Sequence, residues 1–428
     1  MLGRIDLSDV SGDVRPHLPR PDVAGEGPTE AVRGILRDVR ERGDAALLEL
    51  TERFDGVRLD ALRVDASELT AALDRIPGDL RAALATAADR IAGFHRHQRR
   101  EPTVWQEAGV TITSSWKPVR RAGCYVPGGR AAYPSTVLMT AVPARVAGVD
   151  EVVVCVPPDR ATGRVADVTL AAAAVAGVDE LYAIGGAQAI AALAYGTDSI
   201  RPVDVVCGPG NRYVAIAKQQ VAGEVGVAAA FAGPSEIVVV ADGTAPPELV
   251  AIDLMVQAEH GPDGLAWLIC WDADVADAVD AELARLVEAA PRRAEIEATI
   301  RSAGHAVVCR DAAQAMAVAN AIAPEHLQLV CADADALLPS VDNAGAVFVG
   351  PWAPASLGDY AAGPSHVLPT NGSARFSSAL TVDDFTKHHH VVEVERDGFD
   401  ALASTVETLA AAEGLDAHAE SIRLRRRP

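Results

Sequence analysis

From about residue 120 the sequence falls into one rhythm that limits the fold more than any other feature. Short apolar, β-branched runs alternate with Ala-rich stretches of helical spacing. EVVVCVP is followed by VADVTLAAAAVAG, ELYAI by AQAIAALAYG, and VDVVCG by NRYVAIAKQQVAG. A strand that is apolar at every position must be covered on both faces, and helices between the strands supply that cover, so the pattern predicts a buried parallel sheet. A second set follows it. EIVVVAD, LAWLICW, HAVVC, LQLVC and AVFVG read as strands; PPELVAIDLMVQAEHG, DADVADAVDAELARLVEAA and AAQAMAVANAIA read as helices. Two α/β units divided near residue 235 are expected, and a distant segment is free to return and complete either sheet.

The first 110 residues read mainly as helix, in TEAVRGILRDVRERGDAALLELTERFDG and GDLRAALATAADRIAGFHRHQRR, before VTITSSWKPV alternates as a strand. The last fifty are helical again (GFDALASTVETLAAAEG). At 428 residues the chain suits two to three domains. A net charge of -21 argues against nucleic acid or an anionic membrane as the main partner, since both need clustered Lys and Arg. The terminal RLRRRP is too small to reverse that. Cys124, Cys155, Cys207, Cys270, Cys309 and Cys331 form no CxxC pair and sit mostly in apolar runs, as buried thiols of a reducing cytosol do. The start, MLGRIDLSDVSG, is polar and carries no signal peptide pattern, and no apolar run of about 18 residues suggests a membrane span. A cytoplasmic protein is expected.

In open parallel sheets ligands bind where loops lead from strands into helices. Four Gly-rich loops answer that description: GCYVPGGRAAYPS (123–135), IGGAQA (184–189), CGPGNRY (207–213) and FAGPSE (231–236). Glycine there lets backbone amides approach a phosphate or a flat ring. Plain tight turns are the bland alternative. GPGNRY lacks the third glycine of the dinucleotide fingerprint, so spacing alone does not name a cofactor.

Side chains that could do chemistry lie elsewhere. In MVQAEHGPDG, Gln257 and His260 are three apart and stack on one side of a helix end, while Glu259 points away. The pair could ligate a metal from one rigid element, but on this segment alone the plainer reading is favoured, in which His260 meets the negative end of the helix. In APEHLQL, Glu325 and His326 stand together before a strand, a solvated helix end or an acid–base pair. SLGDYAAGPSHVLPT holds Asp359 and His366 in a loop without regular period, which leans toward function. EGLDAHAES offers Glu413 and His418, which alone read as surface residues. The run His388, His389, His390 is better explained by an edge strand than by a metal site. His95 and His97 read as a solvated face.

Taken together, GCYVPGG, GGAQAIAALAYGT, GPGN, AGPSE, QAEHGPD, PEHL, GDYAAGPSHVLPT and STVETLAAAEGLDAH, in this order from about residue 120 to 418, closely resemble the histidinol dehydrogenase family. The resemblance implies two incomplete Rossmann-like parallel-sheet domains with small helical terminal extensions. Its division would be 1–23, then 24–127 with 237–320, then 128–236 with 321–376, and a C-terminal arm, 377–428. It implies oxidation of L-histidinol to L-histidine through an aldehyde, with two NAD⁺ and one Zn²⁺ per site. The ligands of Zn²⁺ would be Gln257, His260, Asp359 and His418. The catalytic pair would be Glu325 and His326. Substrate contacts would fall on Ser235, Gln257, His260, His326, Asp359, Glu413 and His418, and NAD⁺ contacts on Tyr125, Gln188 and Asn211. It further implies a homodimer whose arms cross, so that Glu413 and His418 complete the partner's site. His326 would then take the hydroxyl proton and Glu325 activate water for the second oxidation. A thiol route through Cys124 or Cys155 is disfavoured by their apolar surroundings. A zinc hydrolase and a non-catalytic binder are the competing readings. The first leaves the Gly-rich loops without use, and the second leaves the Glu325–His326 pair without use.

Overall fold

The structure is a computed structural model that describes residues 1–19, 28–129, 131–228, 235–259, 261 and 264–426. Early strands are β1 (Gly3–Asp6), β2 (Arg63–Val64), β3 (Thr103–Glu107), β4 (Val110–Pro118) and β5 (Arg121–Tyr125). Then come β6 (Glu151–Cys155), β7 (Glu180–Tyr182), β8 (Val205–Cys207) and β9 (Gly226–Val227). The later ones are β10 (Glu236–Ala241), β11 (Leu265–Cys270), β12 (Gly304–Val308), β13 (His326–Val330), β14 (Ala346–Val349) and β15 (Thr386–Val394).

Two six-stranded sheets result, β2-β7-β6-β5-β8-β9 and β1-β12-β11-β10-β13-β14, parallel except for β2. The rhythm of the sequence is explained by their cover. In the second sheet Ile237, Val239 and Ala241 pack into one core and Val238 and Val240 into another. In the first, Val152 and Val154 face one core, Val153 and Cys155 the other. Each such valine or isoleucine contributes about 1.5–3 kcal/mol by leaving water.

The sheets draw on the chain differently from the expected division. β5 pairs with β6 and β8, so residues 121–125 belong with 151–227 rather than with 237–320. Strands β13 and β14 continue the sheet of β10 instead of joining 128–236. Residues 3–6, expected in an N-terminal extension, close the second sheet by pairing with β12. Main-chain hydrogen bonding in a buried sheet decides these memberships, and hydrophobic period carries no information about which strand is the neighbour.

Smaller differences have local causes. The expected helix over 29–56 is two, Thr29–Arg42 and Asp44–Asp55, because Gly43 turns at φ +54°. His388, His389 and His390 do lie on an edge strand, β15, of a third sheet β15-β4-β3, where His388 stacks on Trp116 at 4.7 Å. His95 departs from its expectation: it is fully buried, and its Nδ1–H donates to the Ile91 carbonyl one turn back at 2.9 Å. His97 is exposed.

Candidate functional site

The two sheets present polar groups at opposite ends. On the first sheet they gather at the carboxyl ends of the strands. Tyr125 closes β5 and is buried, and its hydroxyl accepts from the Gly186 N–H at 3.1 Å. Burial pushes that phenol up to about 12. Glycines let the loops close around it. A Cβ on Gly208 (φ +106°) would stand 2.0 Å from the Tyr125 carbonyl oxygen, and one on Gly185 2.6 Å from Pro157. Gln188 is buried in the first turn of the Gly186–Tyr195 helix, and among the described residues its Oε1 has no hydrogen-bond partner. Asn211 caps the Arg212–Val221 helix by accepting from the amides of Tyr213 and Val214 at 3.0 and 3.2 Å. Beneath it the buried Lys218 ammonium donates to the Gly208 carbonyl. Tyr125 thus ends a strand, while Gln188 and Asn211 stand at the starts of two helices on the same side of the sheet.

On the second sheet the polar groups gather at the amino ends. His326 opens β13 and Glu236 opens β10, and the two strands are paired in register. The His326 Nδ1–H donates to the Glu236 carbonyl and the Nε2–H to Asp359 Oδ1, each at 3.2 Å. Both acceptors are oxygens without a proton to give, so the geometry is that of an imidazolium. The electrostatics agree. Burial pulls the ring down, but the facing carboxylates of Glu325 and Asp359 outweigh it and raise His326. Glu325, 3.6 Å from Nδ1, is itself raised by burial, and it accepts from the Glu236 N–H at 2.9 Å.

Asp359 reaches this centre from a short helix, Ala355–Tyr360, where a loop without period is expected. A Cβ on Gly358 would stand 2.6 Å from the Phe348 ring, which in turn stacks on His326 at 5.9 Å with 26° between the planes. Only a glycine lets that turn approach closely. His366 then ties the two halves: its Nδ1–H donates to the Asp359 carbonyl at 3.0 Å, and its Nε2 meets Thr136 Oγ1 at 3.2 Å. Thr136 belongs to the Pro134–Ala147 helix of the first sheet.

Gln257 lies fully buried in the last turn of the Pro247–Ala258 helix, and among the described residues neither its Oε1 nor its Nε2 has a partner. An amide buried in that state costs about 1–3 kcal/mol unless something meets it. His260 lies outside the described residues. Ser235 precedes β10 and its carbonyl accepts from Leu265. Glu259 is exposed. Glu413 and His418 are exposed on the terminal helices Arg396–Ala412 and Asp416–Arg426 and their hinge. Among the described residues no three His, Cys, Asp or Glu are grouped to hold a metal ion.

Sequence reasoning did not foresee Glu236, whose backbone holds both Glu325 and His326, nor Phe348. It also missed Asp253, which accepts from Gln328 at 2.6 Å one layer below. The polar Gln328 inside an apolar strand was the available signal for that last pair.

The family model described as histidinol dehydrogenase matches residues 18–426. A histidinol dehydrogenase of Parasynechococcus marenigrum is 50% identical over 392 residues, covering 91% of this chain and 89% of the relative. One from Syntrophotalea carbinolica is 48% identical over 427 residues, covering 98% and 97%. The crystal structure of histidinol dehydrogenase from Elizabethkingia anophelis superposes with a TM-score of 0.94 at 33% identity, covering 99% of this chain and 98% of that one.

Proposed function

The chain belongs to the histidinol dehydrogenase family, and on that premise we propose that it oxidises L-histidinol to L-histidine with Glu325 and His326 as its acid–base pair. It is an oxidoreductase of histidine biosynthesis. The observation that carries the catalytic assignment is the buried trio Glu325–His326–Asp359, two carboxylates facing one imidazole in a water-poor interior.

When bound, NAD⁺ would accept the hydrides and Zn²⁺ would anchor the amine and imidazole of the substrate. We assign Zn²⁺ to Gln257, His260, Asp359 and His418. Gln257 fits that role: its amide is buried and unsatisfied, as an oxygen donor kept for a ligand would be. We assign NAD⁺ to Tyr125, Gln188 and Asn211, and the orphaned Gln188 Oε1 fits a group awaiting a donor. Ser235, Gln257, His260, His326, Asp359, Glu413 and His418 would hold the substrate.

His326 would take the carbinol proton at Nε2, and for that its ring must be neutral. Asp359 Oδ1 holds that proton in the arrangement described here. A carboxylate has lone pairs for both tasks, so Asp359 could ligate and still accept from Nε2; with its charge drawn toward a metal it would hold the His326 proton less strongly. Glu325 would activate the water that adds to the aldehyde. Burial raises its carboxyl, which favours taking a proton near neutrality. The thiol route finds no support: Cys124 and Cys155 are fully buried, and burial pushes the Cys155 thiol far up.

Glu413 and His418 would act on a second copy. The Arg396–Ala412 helix that leads to them carries an apolar stripe, Leu402, Val406 and Leu409, exposed within one chain. A homodimer with exchanged arms would cover it. Among the described residues no helix is long and apolar enough to cross a membrane, and the six cysteines are free, which supports a cytoplasmic enzyme.

The deciding assay is NADH formation from L-histidinol before and after chelation. Two NADH per histidine are expected, and their absence from a folded, zinc-loaded enzyme would sink the proposal. For the arms, His418→Ala mixed with His260→Ala should recover activity at about half of the heterodimer's sites; no recovery after subunit exchange removes the crossing.

A further inference from the structure

One acidic side chain at the first sheet has no place in the scheme above. Asp55 ends the Asp44–Asp55 helix and is half-buried, and its Oδ2 is shielded from solvent without a hydrogen-bond partner among the described residues. The nearest cation does not neutralise it by contact. Arg160 turns its guanidinium to the backbone instead, donating from Nε to the Asp55 carbonyl at 3.0 Å and from Nη2 to the Phe54 carbonyl at 3.3 Å.

Its neighbours are those of the crevice. Arg160, which bonds the Asp55 carbonyl, stands three residues from Pro157, and a Cβ on Gly185, at the start of the Gly186–Tyr195 helix, would stand 2.6 Å from Pro157; the Gly186 amide there donates to the Tyr125 hydroxyl. A Cβ at Gly186 would lie 2.6 Å from Gln188 Oε1, itself buried and without a partner. Gln188 Oε1 thus lies in the first turn of a helix whose amides favour a phosphate, and the unsatisfied Asp55 Oδ2 belongs to a residue tied to the loop 157–160 that packs on that helix's start. A buried acceptor without a donor is costly, and a ligand carrying hydroxyl donors next to a phosphate satisfies both needs.

We propose that Asp55 is a specificity-determining residue for the cofactor: its carboxylate accepts the hydroxyls of a ribose and so selects the dinucleotide that lacks a 2′-phosphate. The inference rests on reading this crevice as the NAD⁺ site. Two carboxylate oxygens match a vicinal diol, which is how acidic residues read ribose at other parallel-sheet dinucleotide sites. Here the acid comes from a helix earlier in the chain than the sheet's central strands. Burial lifts Asp55 to about 6, so it is charged at neutral pH, and a 2′-phosphate would meet like charge.

The test is calorimetric binding to the full-length protein, which needs no turnover. Wild type should bind NAD⁺ at least tenfold more tightly than NADP⁺ and than an NAD⁺ analogue lacking the adenosine 2′-hydroxyl. Asp55→Asn should weaken NAD⁺ by about tenfold or more, narrow the NAD⁺/NADP⁺ ratio, and abolish the penalty for the missing hydroxyl. Its thermal unfolding without cofactor should be unchanged or raised, since an unpaired carboxylate is removed; a merely structural role would lower it. Equal wild-type affinity for NAD⁺ and the 2′-deoxy analogue overturns the inference without any variant. So does a folded Asp55→Asn with an unchanged NAD⁺/NADP⁺ ratio. Failure of wild type to bind either dinucleotide would instead remove the cofactor assignment on which the inference stands.

Discussion

The two sheets are built alike and used at opposite ends. At the first, helices starting at Pro134, Gly186 and Arg212 point their N-termini at the crevice. At the second, helices ending at Ala258, Ile322 and Tyr360 bring their C-termini to the Glu325–His326 centre. A helix end carries roughly half a charge, positive at the N-terminus and negative at the C-terminus. One crevice therefore favours phosphate and the other favours cations, imidazolium among them. The difference teaches that glycine backbone suffices where an anion must be cradled, whereas proton transfer needs side chains held by packed partners.

If that division is real, changes at one end should leave the other untouched. The largest effect is expected from His326→Asn, which should lower kcat by about 10³-fold or more while calorimetric NAD⁺ affinity stays within about twofold. Loss of NAD⁺ binding would break the division. Next, Glu325→Gln should reduce acid formation by roughly 10²-fold and spare aldehyde formation from histidinol. Equal loss in both half-reactions would contradict the water-activating role.

A third change sharpens the contrast within the first sheet, whose amino end carries an ion-pair network. There the buried Arg121 bridges Glu151 and Glu180, and Arg201 bonds both acids again. Arg121→Met should cost about 2 kcal/mol, less than a wholly broken buried pair because Arg201 remains, with no change in KM. Burial raises Glu180, but Arg121, Tyr182 and Arg201 outweigh it and hold it at about 2. A depressed folded pKa stabilises fully above the unfolded value near 4.5 and is lost as pH falls toward 2. The gap in unfolding free energy between wild type and Arg121→Met should close over that range; a gap constant in pH would refute the ionic account. The smallest effect is that of Gln188→Leu at the opposite end: NAD⁺ affinity down by about fivefold, melting temperature unchanged or higher.

Much of this was legible beforehand. Residues apolar at every strand position demanded buried parallel sheets, and the motifs around Glu325, His326 and Asp359 carried the family. Direction was not legible. Period says that β13 is buried but not that His326 sits at its amino end among helix C-termini. Nor could sequence show that residues 3–6 close the second sheet, since that pairing spans some three hundred residues. His95 misled because a histidine can satisfy one ring nitrogen within its own helix and be buried. Asp55 gave no signal: an acid before a left-handed Gly56 is an ordinary helix end.

The bridge from Thr136 through His366 to Asp359 bears on timing. A four-electron oxidation run by one set of groups must shed a spent carrier halfway while keeping custody of a reactive aldehyde. With carrier and intermediate assigned to different sheets, the first crevice can empty and refill without unclamping the second. His366 is where the two halves meet, one ring nitrogen on each.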